Sequence, residues 1–144
     1  DNFLELYNRP YVIGFFAGGT FDDGEVFFRH TIKENATFTF YDANGQTPVN
    51  GTPPATGTAP AFTLETADPT TTRIFSITKD TGAGAVEVGT VTFLATETTG
   101  TPVFNGGVAG YFTATVDDAI RVVAPNPAGA TIEGLSVSLL GFRG

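Results

Sequence analysis

Ala119-Ile-Arg-Val-Val-Ala-Pro-Asn-Pro-Ala-Gly-Ala-Thr-Ile-Glu-Gly-Leu-Ser-Val-Ser-Leu-Leu-Gly141 is the stretch that decides the fold. Residues 120–124 are β-branched and apolar, which suits a pleated, largely buried strand. Pro125 and Pro127 cannot donate to a sheet ladder and restrict the residues before them, so strand pairing is expected to stop there. Residues 131–140 then resume as a second, longer strand. The two are expected to be neighbours, with the rest of the chain laid against them as further strands.

Working outward, strands are predicted at 11–17, 25–32, 37–41, 62–66, 73–79, 86–95 and 110–116, ahead of 120–124 and 131–140. Within 25–32 the alternation is regular: Val26, Phe28, His30 and Ile32 share one face, and Phe27, Arg29 and Thr31 the other. The short link 33–36 makes 25–32 and 37–41 an expected hairpin. Gly18-Gly19, Asp22-Asp23-Gly24, Asp42-Ala-Asn-Gly45, Asp80-Thr-Gly-Ala-Gly84 and Thr98-Thr-Gly-Thr-Pro102 supply turn chemistry. No helical period runs for a useful length. About nine short strands with regular punctuation predict an all-β fold, a β-sandwich that is jelly-roll-like. Residues 1–10 read as an N-terminal arm, 11–144 as a single sandwich domain, and 46–61 as a long exposed loop.

Composition narrows the chemistry. At 144 residues one domain buries about 70% of its unfolded surface. With no Cys, disulfides, zinc–thiolate sites and thiol catalysis are excluded. A formal charge of −8 with two lysines argues against a nucleic-acid surface. No apolar run approaches the roughly 18 residues that would span a bilayer. The chain begins at Asp1 and has no Met, so an initiator region or a cleaved leader is expected before it.

Candidate sites are few. His30, the only histidine, rules out a multi-histidine metal centre. Its apolar strand face predicts a hydrogen-bonded core histidine; a lone acid/base or pH sensor is the functional alternative. Asp22, Asp23 and Glu25 surround Gly24, and hard oxygen ligands in such a loop suit Ca²⁺. The competing reading is a solvated β-turn, and the spacing is not that of an EF-hand. Gly134-Leu-Ser-Val-Ser138 lacks the second glycine of a nucleophile elbow and lies within a strand. No phosphate loop or dinucleotide fingerprint is present. Catalytic residues, cofactors and metals are therefore all expected to be absent.

The doubled apolar residues are the oddity. Phe15-Phe16, Phe27-Phe28 and Leu139-Leu140 each send one large side chain to either side of a strand, which a half-solvated sheet avoids. Burial of an outer face against another subunit is the expectation, with Phe15, Phe27 and Leu139 as interface candidates; loops covering the outer faces, the 46–61 loop above all, are the alternative.

Gly14-Phe-Phe, Gly24-Glu-Val with Arg29, Thr37-Phe38, Gly57-Thr-Ala-Pro60, Phe75-Ser-Ile-Thr-Lys79, Gly89-Thr-Val-Thr-Phe93, Ile120-Arg-Val-Val-Ala-Pro125 and Ala130-Thr-Ile follow one another along the chain. Together, from about Tyr11 to Gly141, they resemble small structural modules of tailed-bacteriophage virions. Residues 1–10 and the 46–61 loop lie outside the resemblance. It implies a non-enzymatic virion structural protein on the particle exterior, a capsid decoration or cement protein. The alternative is a tail-fibre or tail-tip module that binds host-surface carbohydrate, for which Tyr7, Tyr11, Tyr41 and Tyr111 are the aromatic supply. Implied partners are the chain itself, as a homotrimer, and the major capsid or tail proteins. The trimer rests on the three-fold junctions of capsids, hence on the resemblance alone.

Overall fold

A computed structural model of the chain describes residues 10–41, 48–49, 61–104 and 111–143. These residues form strands and connecting turns, and no helix is found among them. In chain order the strands are β1 (Pro10–Ala17), β2 (Val26–Thr31), β3 (Ala36–Tyr41), β4 (Pro48–Val49), β5 (Ala61–Thr66), β6 (Arg73–Asp80), β7 (Ala85–Phe93), β8 (Thr101–Phe104), β9 (Tyr111–Ala114), β10 (Ala119–Val123) and β11 (Glu133–Arg143).

Two antiparallel sheets result. One runs β1-β11-β3, with β9 and β4 on β3 and β5 alongside β11; the other runs β2-β10-β6-β7-β8. The pairing is nested: β1 pairs with β11, β2 with β10, and β3 with β9. Outer pairs thus alternate between sheets, giving β1-β11-β3-β9 facing β2-β10-β6-β7. That is the jelly roll, a long two-stranded ribbon rolled into a sandwich. β4, β5 and β8 are additions to the eight-strand roll.

The ribbon stays hydrogen-bonded around its corners, which is why it rolls without fraying. At one corner the Gly24 amide donates to the Pro125 carbonyl and the Ala124 amide to that of Glu25. At the other, the Ile32 amide donates to Asp118 O and the Asp117 amide to Ile32 O. Buried Asp118 fixes the second corner further by accepting the Thr115 amide at 2.9 Å on Oδ2.

These corners correct two expectations. Strands 25–32 and 37–41 are not a hairpin, because β2 pairs with β10 and β3 with β11 and β9, in opposite sheets. Likewise β10 and β11 are not hydrogen-bonded neighbours; each lies inside its own sheet. Pro125 and Pro127 sit where the chain crosses from one sheet to the other. β8 was also unexpected: Pro102 falls within it, tolerable in an end strand that needs no second ladder. Apart from Pro10, which opens β1, the 1–10 arm lies outside the described residues. Most of the 46–61 loop does too.

The core lies between the sheets. Phe38, Phe62 and Phe112 from one side meet Phe75, Phe93 and Phe104 from the other, with Ile77, Ile120, Leu135 and Leu139 filling between them. Fully burying one such side chain contributes about 1.5–3 kcal/mol. Ring pairs such as Phe104–Phe112, edge-on with centroids 5.2 Å apart, join the two layers.

Candidate functional site

The sandwich offers a cleft at one corner, a titratable pair at one edge, and two outer sheet faces. The cleft holds ≈ 600 Å³ and opens to solvent between residues 20–23 and 127–130. Thr20, Phe21, Asp22, Asp23, Pro127, Gly129 and Ala130 line it. Its walls are the two loops that the nested pairing brings together. Asp23 Oδ1 accepts the Ala128 amide at 2.8 Å, clamping one wall to the other. Glu25 Oε1 accepts the Asp22 amide at 3.0 Å and closes the turn at Gly24.

Behind the cleft, Arg73 Nη1 donates to Pro127 O at 2.8 Å. Its Nε and Nη2 both lie 2.9 Å from Asp68 Oδ2. Gly129 has a φ of +78°, and a Cβ there would come within 2.6 Å of Arg73 Nη2. The close approach of the guanidinium therefore requires glycine. The Thr70 amide foremost holds the Asp68 carboxyl down at about 2; burial, next in size, opposes it, and Arg73 and the Thr71 amide add to the lowering. This network organises the loop, and the acids facing the cleft serve its backbone.

Asp22, Asp23 and Glu25 are thus committed to turn and loop geometry through Glu25 and Asp23. Among the described residues no group of three His, Asp or Glu side chains is placed to hold a metal ion. Asp80 is similar: the Gly82 amide first, then Arg121, lower its carboxyl below the ordinary range. Arg121 Nη1 lies 3.2 Å from Asp80 Oδ2, while Arg29 stands directly across the strands from Arg121.

His30 is hydrogen-bonded, as its strand face predicted, but it is only half-buried and not a member of the core. Its Nε2 lies 2.9 Å from the Tyr11 hydroxyl, which also accepts the Lys33 amide at 2.9 Å. The hydroxyl proton is then free to point at Nε2, which makes the neutral imidazole the acceptor. Desolvation first, and the Lys33 charge second, lower the pKa of His30 from its ordinary 6.5. Tyr11 is buried against Phe38, so it presents no ring to a sugar. Tyr111 is half-buried on β9; Tyr7 and the Tyr41 side chain lie outside the described residues.

The interface candidates sort differently from the expectation. Phe15 faces inward and stacks on Phe28 with ring centroids 3.7 Å apart. Leu139 is fully buried in the core, so it has no surface to give a partner. The parity was reversed: in the Phe15-Phe16 pair the outward member is Phe16, 59% exposed. The Phe27 and Leu140 side chains lie outside the described residues. Val12, 55% exposed, joins Phe16 on the outer face of β1. The period-two count from Ile13 gave that away, since Val12, Gly14 and Phe16 must all lie opposite Tyr11, Ile13 and Phe15.

No protein-family model matches this chain, and neither a curated protein nor a solved structure matches it.

Proposed function

We propose that the chain is a non-enzymatic structural protein of a tailed-phage virion, displayed on the particle exterior as a capsid decoration protein. The ordered resemblance of residues 11–141 to such modules motivates the reading. The outer face of β1 is the observation that carries it: Val12 and Phe16 stand in solvent on a strand without a single charged residue. An uncharged strand face of that kind is suited to contact with other proteins. The rolled sandwich is compatible, since capsid and lectin domains both use it, but a fold hosts many functions and does not choose among them.

In this reading the partners are further copies of the chain and the major capsid or tail proteins. Nucleic acid is not a partner for a surface of net −8. The proposal excludes catalysis, because the carboxylates with perturbed titration, Asp68 and Asp80, are spoken for by loop amides and arginines. Carbohydrate binding at a tail tip is the rival, with the corner cleft as its place.

Incubating purified protein with phage heads that lack it, then co-sedimenting and imaging the particles, tests the proposal. Decoration at regular capsomer positions is expected. Absence of particle binding together with a specific hit on a glycan array would establish the rival.

A further inference from the structure

β1 ends its sheet, with β11 as its only ladder partner among the described residues. Its register against β11 is unbroken from Pro10↔Phe142 to Ala17↔Leu135. An end strand presents unpaired backbone groups to any strand of suitable length, and proteins usually blunt it with charge, brevity, a bulge or a cover. The other edges here are blunted. β2 carries Arg29 and His30 and meets β10 through a register shift at Val122/Val123. β8 and β9 are four residues each, and β8 contains Pro102. β5 is covered by residues 98–100, through Leu64 N–H to Thr98 O and Gly100 N–H to Phe62 O. β1, eight residues of Pro-Tyr-Val-Ile-Gly-Phe-Phe-Ala, carries no charge and no bulge, has its proline only at its first position, and has no ladder partner but β11 among the described residues.

We infer that β1 is a dimerisation strand, pairing antiparallel with β1 of a second copy about a two-fold axis at Gly14. A two-fold contact must be self-complementary, residue i meeting j and j meeting i. Only registers that set outward residues against outward residues keep both faces continuous. With the axis at Gly14, Gly14 faces Gly14 and Val12 faces the partner subunit's Phe16, twice over. Aromatic–β-branched pairs directly across strands are favourable cross-strand contacts. They would cover the two most exposed apolar side chains of β1 at once. The absence of charge matters equally: two molecules of net −8 repel, and β1 lets them meet without opposing carboxylates. A three-fold ring would instead need two different patches that fit each other. The inference stands whether or not the protein serves on a virion.

Sedimentation of the full chain over a range of concentrations tests it, with two double variants. Val12→Lys with Phe16→Lys sets like charges across the axis; Val12→Lys with Phe16→Glu sets opposite ones. Both lose the same apolar surface, and circular dichroism checks that each is folded. The wild type is expected to dimerise, with amides of residues 11–17 gaining hydrogen-exchange protection as concentration rises. The Lys/Lys chain is expected to be monomeric and the Lys/Glu chain at least tenfold tighter. A wild type that is monomeric or trimeric overturns the inference, as does equal association of the two variants. A dimer that fails to decorate particles overturns only the virion reading.

Discussion

Arg73 reaches from β6 to place Nη2 2.9 Å from Asp68 Oδ2 and Nη1 2.8 Å from Pro127 O, so one side chain ties the strand to the loop where the chain changes sheets. The carboxylate half of this link titrates. Asp68 is held at about 2, below its ordinary 3.8. The unfolded chain therefore takes up the proton first, and the contribution is complete above about 3.8 and lost as pH falls towards 2. Asp80, also lowered, acts in the same direction. Melting temperature should drop over that window, and Asp68→Asn should flatten the drop. Parallel curves for variant and wild type would refute the assignment.

His30 adds a separate dependence at milder pH. Its folded pKa lies below 6.5, so the unfolded chain binds the proton more readily, and stability is complete above about 6.5 and declines below it. Tyr11→Phe removes the hydroxyl that meets both His30 Nε2 and the Lys33 amide. A loss of about 0.5–1.5 kcal/mol is expected in urea unfolding at pH 8.

Leu139 and Val12 should behave as opposites. Leu139→Ala opens a cavity between the sheets and should cost about 2–5 kcal/mol. Val12→Ser, on the outer face of β1, should change monomer stability by about 0.5 kcal/mol or less. Denaturant midpoints at low protein concentration measure both.

Chelation should leave the protein unchanged, because Glu25 and Asp23 already hold the Asp22 and Ala128 amides. Thermal melts with and without EDTA should coincide, and added Ca²⁺ should not raise the midpoint. A raised midpoint would show binding to the native state. Asp23→Ala should lower stability by about 0.5–1.5 kcal/mol through the lost Ala128 bond.

Fold class was legible because alternation reports which face of a strand is buried. Val122 and Ile120 point inward, and Arg121 between them outward. Pairing was not legible, because alternation says nothing about partners. The link at 32–35 is short enough for a hairpin, yet the Ile32 amide and carbonyl bond to Asp118 and Asp117 and the Asn35 side chain to the Val116 amide, a distant part of the chain. β8 was masked by Thr98-Thr-Gly-Thr-Pro102, whose turn chemistry runs straight into the strand. At the candidate site, the bonding of His30 followed from its strand face. The Arg73–Pro127 half of the corner link joins residues far apart in sequence, and nothing local announces it.

The nested pairing also dictates when folding can happen. Pro10 faces Phe142 and Ala17 faces Leu135, so the first strand waits for the last. Closing so long a loop is entropically costly before any contact rewards it, which places the chain among slow, millisecond-to-second folders. On the ribosome β1 emerges well before β11 and stays without that partner until β11 follows. Truncation before β11 removes the ladder partner of β1, β3 and β5 together, and the product should aggregate rather than fold in part.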